Sequence, residues 1–505
     1  MTPVETASPW RGTADADVLA GTGPTTVGAG RAPHLVARAR RRLASHRPVE
    51  LLPGWPLVLL FVGYPLWWIG GVAVFAPMVA AVPMLGYLLA LRHIRLPSGF
   101  ALWLLFLAWA TAGVTVLWVQ PSGTLAVAGL DRLVPFGYRL AWYAAVTVVL
   151  LYVGNLRRSQ LSDQRVYRLL AWMFLVTVVG GYIGYLAPNV PVRSVLEIVL
   201  PAGVRSNDFL SVLIHPNLAQ LQDIGIEVTR SSAPFVYAND WGANYGLLAP
   251  FFVLAWTGAH AGWRRRVFPF VALVSVPPVI FSLNRGLWLG LVVVAIFVAV
   301  RLALMGRLAA MSGVLGAAVL TGALLGATPL GDLVTERFEN QHSNEGRTEL
   351  ANRAVAIAWE ESPILGFGGS REVAGNFYSI AGASSEACPG CSPPQIGTQG
   401  HLWLLVFGHG LVGAAWFFGF LGRRLVVGLR GTSRDATALC AVVVFYVTVM
   451  FAYDLLTLPT FVLMIALGLL WRHESEPAVV RFTDRRSALD EPSHGTTVPS
   501  ASTPR

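Results

Sequence analysis

The chain is 505 residues long, 54% hydrophobic and 13% charged, with a mean hydropathy of +0.58. This composition excludes a soluble globular protein and indicates a polytopic membrane protein. All 37 basic residues are arginine and they gather beside apolar runs, so the net charge of +10 reads as membrane topology and not as a nucleic-acid surface.

In chain order, residues 1–48 are rich in Ala, Thr, Ser, Pro and charge and lack helical apolar periodicity, which predicts a disordered tail; residues 474–505 read the same way. No short apolar core with a small-residue cleavage site opens the chain, so no signal peptide is expected. Between the tails, residues 49–473 read as an all-α polytopic membrane domain, with about 20 apolar residues as the length of one crossing. Spans are predicted near 51–70, 72–91, 97–118, 133–153, 166–187, 241–259, 267–283, 286–304, 309–329, 402–421, 436–453 and 455–472, about 12 in all. Pro53, Pro56, Pro65, Pro77 and Pro83 interrupt the first pair, which membrane helices tolerate.

Arginine placement tests this count. From the cluster Arg38, Arg40, Arg41 and Arg42, alternate connections carry Arg92 and Arg95, then Arg157, Arg158 and Arg165, then Arg264, Arg265 and Arg266. Arg301 and Arg307, then Arg423, Arg424, Arg430 and Arg434, then Arg472 continue the pattern. With an even number of spans all of these face the cytoplasm, as do both tails. The two long connections, at about 188–240 and 330–401, then face outward, and function is expected there because they carry the polar side chains that the spans lack. The first holds Arg193, Arg205, Asp208, His215, Arg230, Asn239 and Asp240. In the second, Leu350, Ala354, Ile357 and Ala358 predict a short helix with Ser343 or Asn344 as its N-cap and Pro363 just past its end.

Arg285 lies in the tight break Ser282-Leu283-Asn284-Arg285-Gly286, outward by this topology and against the chain's own charge rule. Such a charge either snorkels to lipid headgroups or binds an anion. Arg347, in or beside the first turn of the loop helix, either pairs with Glu345 or Glu349 on a wet surface or acts with the helix N–H groups on a phosphate. Past that helix, Ser362-Pro363-Ile364-Leu365-Gly366-Phe367-Gly368-Gly369 permits a tight turn with close backbone approach, without the lysine of a nucleotide-binding loop. His401 opens the next span, where a histidine is either a general base or an ordinary hydrogen-bonded residue; His215 and His409 carry the second reading. Cys388 and Cys391 read as a local disulfide in preference to a redox pair, and with no second pair nearby they do not make a zinc site; Cys440 reads as packing.

Many spans, a Ser-x-x-Arg-Gly break opening a helix, an outer loop with an arginine and a helix, Pro-x-x-Gly-x-Gly, and a histidine opening the next span: in this order the features resemble the O-antigen ligase and polymerase superfamily of bacterial envelope glycosyltransferases. The resemblance covers roughly residues 230–422. It implies a multi-pass enzyme of the bacterial cytoplasmic membrane, acting in polysaccharide biosynthesis for the cell envelope. Its donor would be a glycan on undecaprenyl diphosphate, its acceptor a hydroxyl of a glycan, lipid or protein, and it would need neither cofactor nor metal. By the same resemblance Arg285 and Arg347 bind the diphosphate, Arg230 adds a contact, Asn239 touches substrate and His401 activates the acceptor. Leu402 stands where the family often has a small or amide residue, and the cysteine pair is outside the family's pattern. The outer loops lack an Asp-x-Asp pair, although Asp332 and Glu336 fall at helical spacing. The competing reading is a transporter or flippase of a lipid-linked envelope precursor, for which charge along the spans or an internal repeat is expected; neither is evident, Arg139 being the main mid-span charge. A non-catalytic scaffold is the third.

Overall fold

The computed structural model describes residues 53–126, 130–205, 208–223, 227–327, 342–373 and 395–475. The N-terminal tail, nearly all of the C-terminal tail, the Asp332 and Glu336 pair, and Cys388 with Cys391 lie outside these residues. The first helices are α1 (Trp55–Val62), α2 (Tyr64–Gly70), α3 (Ala76–Leu89) and α4 (Phe100–Ala112), then the long α5 (Leu133–Asn155) and α6 (Asp163–Leu186). Three short helices follow, α7 (Val195–Val199), α8 (Ala202–Arg205) and α9 (Asp208–Ile214), and then the antiparallel strands β1 (Ala219–Asp223) and β2 (Glu227–Ser231). Beyond them come α10 (Ala238–Thr257), α11 (Arg264–Val274), α12 (Val276–Phe281), α13 (Arg285–Leu304) and α14 (Leu308–Gly326). The last part holds α15 (His342–Glu361), two-residue strands β3 (Arg371–Glu372) and β4 (Gln395–Ile396), then α16 (His401–Leu429), α17 (Arg434–Val449) and α18 (Leu458–Ser475).

Among the described residues four helices, α5, α6, α13 and α16, are long and apolar enough to cross a membrane. The expected first span is instead two helices parted at Gly63, because Pro65 takes a first-turn position of α2, where its missing N–H goes unneeded. The expected seventh span breaks the same way at Ser275, with Pro277 in the first turn of α12. On α13 an apolar stripe of Leu289, Val292, Ile296, Val300 and Leu304 is exposed, as are Val79, Val82 and Leu89 on α3. Apolar faces of this extent belong in hydrocarbon rather than water, so the fold is that of an integral membrane protein.

Helix direction sorts the arginines. Helices α13, α16 and α18 start at one end of the bundle and finish at the other, where Arg301 donates to the Gly431 carbonyl at 2.5 Å and Arg424 reaches Glu474 at 2.6 Å. There Arg472 also donates to Asp163 at 2.8 Å, and Asp163 takes Arg158 at 2.9 Å. Arg424 and Arg472 are buried, so each tie fixes two helix ends, whereas the exposed Arg158 contributes at most about 1 kcal/mol. The opposite end carries the hairpin, α15 and the arginines Arg230, Arg285 and Arg347.

The hairpin is the element that the sequence pattern does not announce, since its strands Ala-Gln-Leu-Gln-Asp and Glu-Val-Thr-Arg-Ser carry little apolar alternation. Gln220 pairs with Arg230 across it, and the Gln220 side chain accepts the Ala238 N–H at 2.8 Å, fastening the hairpin to the start of α10. Helix α15 buries Leu350 and Ala354 in a small core with Phe367, Val373, Ile396 and Phe407, with Ile357 packed against it, while Ala358 joins the main core.

Candidate functional site

Arg230, Asn239, Arg285 and Arg347 line one cavity of about 330 Å³, with Asn284, Tyr453 and Trp403 also in its wall. Four residues singled out from distant parts of the sequence therefore meet at one place. Among the described residues none that lines it is acidic.

The break before α13 builds the floor. Asn284 caps the helix, its Oδ1 accepting the Leu287 N–H at 2.9 Å and also the Tyr453 hydroxyl. Tyr453 in turn accepts the Gly286 N–H at 2.9 Å. Gly286 is required because a Cβ there would sit 2.4 Å from the tyrosine oxygen, and Gly242 because one would sit 2.2 Å from the Asn284 amide nitrogen. Leu283 adopts φ +49°, a conformation that costs a bulky residue of order 1–3 kcal/mol and persists where surroundings enforce it. Arg285 thus begins α13 at a turn held from several sides, and it lines the cavity. The first-turn N–H groups of Gly286 and Leu287 are already bonded, so an anion here would depend on guanidinium groups rather than on the helix end.

Arg230 joins three segments: from β2 its Nε donates to the Ser282 carbonyl at 2.8 Å and its NH2 to Asn239 Oδ1 at 3.1 Å. Asn239 therefore orients an arginine in addition to lining the cavity. Arg347 lies in the second turn of α15, because that helix begins at His342, earlier than the sequence suggests. It donates to the Ala452 carbonyl at 3.4 Å, while Glu349, one of its two expected partners, pairs with Arg353 instead. Burial lowers the Arg347 guanidinium from its ordinary value, with Tyr453 acting against that shift. The charges of Arg285 and Arg347 also repel each other across the cavity. Two guanidinium groups that repel each other across one cavity are what a multivalent anion would stabilise.

The glycine segment positions Arg347. Gly366 and Gly368 have φ of +66° and +73°, and Cβ atoms there would lie 2.5 Å from the Phe407 carbonyl and 2.4 Å from the Gly113 carbonyl. The Phe367 and Gly368 N–H groups donate to the Phe407 and Gly408 carbonyls at 2.9 and 2.8 Å, where α16 opens at Gly410. Pro-x-x-Gly-x-Gly is thus a clasp between α15 and α16. Arg371 completes it: its NH2 donates to the Leu117 and Phe367 carbonyls, both at 2.8 Å, and burial with the charges of Arg132 and Arg139 lowers it to about 10.

His401 opens α16 as predicted, but it is not among the residues lining the cavity. Its ring is 0% exposed, packed against Phe417 and Tyr446, and its backbone N–H donates to the Tyr453 carbonyl at 2.7 Å. Nδ1 lies 3.5 Å from Asp454 Oδ1, and Nε2 has no hydrogen-bond partner among the described residues. With Nδ1 as donor, Nε2 keeps the lone pair of a base, the arrangement in which a carboxylate orients a catalytic imidazole. Burial pushes the Asp454 carboxyl up, yet the His401 hydrogen bond and charge, the Leu456 N–H and Arg139 together hold it below the usual value. Asp454 is 41% exposed, so it is the open member of the pair.

Asp454 and Tyr453 are the site residues the sequence reading passed over. The available signal was an acidic residue in the single-residue gap between two apolar runs. The other two histidines have partners: His409 Nε2 meets the Tyr143 hydroxyl at 3.0 Å, and His215 Nδ1 meets Glu197 at 2.7 Å. Comparison with protein-family models, curated proteins and solved structures gives no match for this chain.

Proposed function

We propose that this protein is an envelope glycosyltransferase of the ligase or polymerase kind. It moves a glycan from a polyprenyl diphosphate carrier to an acceptor hydroxyl at the outer face of a bacterial cytoplasmic membrane. The observation that carries the reading is the convergence of Arg230, Arg285 and Arg347 on one cavity. Its placement at the end of the bundle opposite Arg301, Arg424 and Arg472 supports an outward site where those arginines face the cytoplasm; about 12 spans and two cytoplasmic tails belong to the same proposal.

In this mechanism the acceptor oxygen bonds to the anomeric carbon as the bond from that carbon to the phosphate oxygen breaks. The electron pair leaves on the diphosphate, where Arg285 and Arg347 stabilise the charge that develops, and Arg230 supports them. The hydroxyl proton passes to the His401–Asp454 pair, whose exposed member is Asp454. Arginine holds the position that a divalent cation takes in nucleotide-sugar transferases, so the reaction needs no metal. Trp403 and Phe451, rings 6.3 Å apart and nearly perpendicular, offer apolar surface beside the arginines for a sugar ring or the first prenyl unit.

The test uses the full chain in lipid nanodiscs with an undecaprenyl-diphosphate oligosaccharide. Arg285→Ala and Arg347→Ala should each abolish transfer while eluting as folded protein, with the wild-type rate insensitive to chelator. Wild-type rates in both variants would refute the reading. Movement of intact donor across a bilayer without transfer would establish the transporter in its place.

A further inference from the structure

A second cavity lies behind the first, across the start of α10. Asn239 faces the arginine cavity, but the next residue, Asp240, lines a separate space of about 40 Å³. The turn between α17 and α18 is divided in the same way, with Tyr453 on the first cavity and Thr457 on the second. At roughly 10–15 Å³ for each water-sized group, this space takes about three such groups.

Its chemistry is opposite to that of the first. Among the described residues no arginine lines it, and burial pushes the Asp240 carboxyl up to about 7. Asn244, one turn along α10, is fully buried; its Nδ2 donates to the Asp240 carbonyl at 2.9 Å, and its Oδ1 has no partner among the described residues. Trp68 also lines the space, and its Nε1 has no partner among the described residues. A carboxylate and an amide oxygen that accept, and an indole N–H that donates, are thus set between the aromatic rings of Tyr64, Trp68 and Trp142. A buried acceptor or donor left unmade costs about 1–3 kcal/mol, so these groups call for a ligand that supplies both kinds of partner. Hydroxyl groups do so, and the C–H face of a sugar ring packs on aromatic rings.

We propose that this second cavity binds the neutral, hydroxyl-bearing edge of one sugar ring of the acceptor, through Asp240, Asn244 and Trp68; calling that sugar the acceptor rests on the transferase reading above. Donor charge and acceptor hydroxyls are then recognised on opposite faces of one wall, which also holds Asp454 and, behind it, His401.

Saturation-transfer NMR on the full chain in nanodiscs, with methyl glycosides of galactose, glucose and mannose as probes, tests the assignment alongside a separate titration with inorganic pyrophosphate. Wild type and Arg347→Ala should both show transfer to at least one glycoside. Asn244→Leu and Trp68→Phe should bind that glycoside at least tenfold more weakly while keeping wild-type pyrophosphate affinity. Trp68→Phe keeps an aromatic ring and removes the N–H, so it decides alone if Asn244→Leu has lost pyrophosphate binding through misfolding. No transfer from wild type to any of the three glycosides, or unchanged binding in both variants, overturns the site. Glycoside binding that depends on Asn244 without any pyrophosphate binding by wild type would sustain the site and count against the transferase reading.

Discussion

The hydroxyl of Tyr453 accepts the backbone N–H of Gly286 at 2.9 Å, so the turn before the last helix is tied to the first turn of α13, where Arg285 projects. The same hydroxyl donates to Asn284, the cap of that helix. Tyr453→Phe keeps the ring and leaves a part-buried N–H without its partner, at a cost of about 1–3 kcal/mol. A lower unfolding temperature and a several-fold loss of pyrophosphate affinity are expected together. Wild-type affinity in this variant would show that the tie does not position Arg285.

A lysine keeps the charge of an arginine but not its fork. If Arg285 and Arg347 each grip a diphosphate with two parallel hydrogen bonds, Arg285→Lys and Arg347→Lys should bind pyrophosphate about tenfold more weakly, and the alanine variants more weakly still. Wild-type affinity should also fall as salt rises, since the cavity attracts by charge. Calorimetric titration at two salt concentrations reads both effects, and equal affinities for the lysine and wild-type proteins would exclude the bidentate contact.

Gly366 is held at φ +66° with its Cα against the Phe407 carbonyl, in the clasp that sets α15 on α16. Gly366→Ala should therefore lower stability by more than about 1 kcal/mol and weaken pyrophosphate binding through Arg347, although it touches no ligand. Gly137, on an open face of α5 with nothing within 4 Å, is the control; alanine there should be neutral or slightly stabilising. Thermal unfolding of the two variants side by side separates backbone strain from a general intolerance of alanine.

What the sequence made legible follows from which forces are local. Apolar runs and arginine placement depend on the bilayer, so the helical architecture and the collection of Arg301, Arg424 and Arg472 at one end were readable. Arg285 and Arg347 stood out by their placement at a break and at a loop helix, and Arg230 only through the resemblance; all three line one cavity. Prolines were visible, but that Pro65 and Pro277 start new helices instead of bending old ones depends on packing around them. The hairpin at Arg230 was hidden because its strands carry little apolar alternation and Gln220 bonds to the start of α10, a tertiary contact. Burial of His401 was equally hidden: a helix N-terminus beside a loop suggests an open position, and only the folding of Phe417, Tyr446 and the Tyr453 turn over the ring closes it.

Asp454 gives the pair with His401 a pH signature whose direction is fixed. Its carboxyl lies below the ordinary range in the folded protein, and in the unfolded chain it returns to about 3.9. Ionisation of Asp454 therefore stabilises the fold fully above about pH 4, and that contribution disappears as pH falls through the folded value. Asp454→Asn lacks it at every pH. The gap in unfolding temperature between wild type and Asp454→Asn should be constant from about pH 5 to 8 and shrink below about pH 4. With the side chain 41% exposed the gap will be modest, because solvent screens the pair. Catalysis separates this role from a structural one. An asparagine amide can leave Nδ1 without its acceptor and rotate the proton to Nε2, removing the base, so kcat should fall steeply while pyrophosphate affinity stays at the wild-type level. A variant whose kcat is unchanged would detach Asp454 from the reaction, and a stability gap that persists undiminished at pH 3 would detach it from His401.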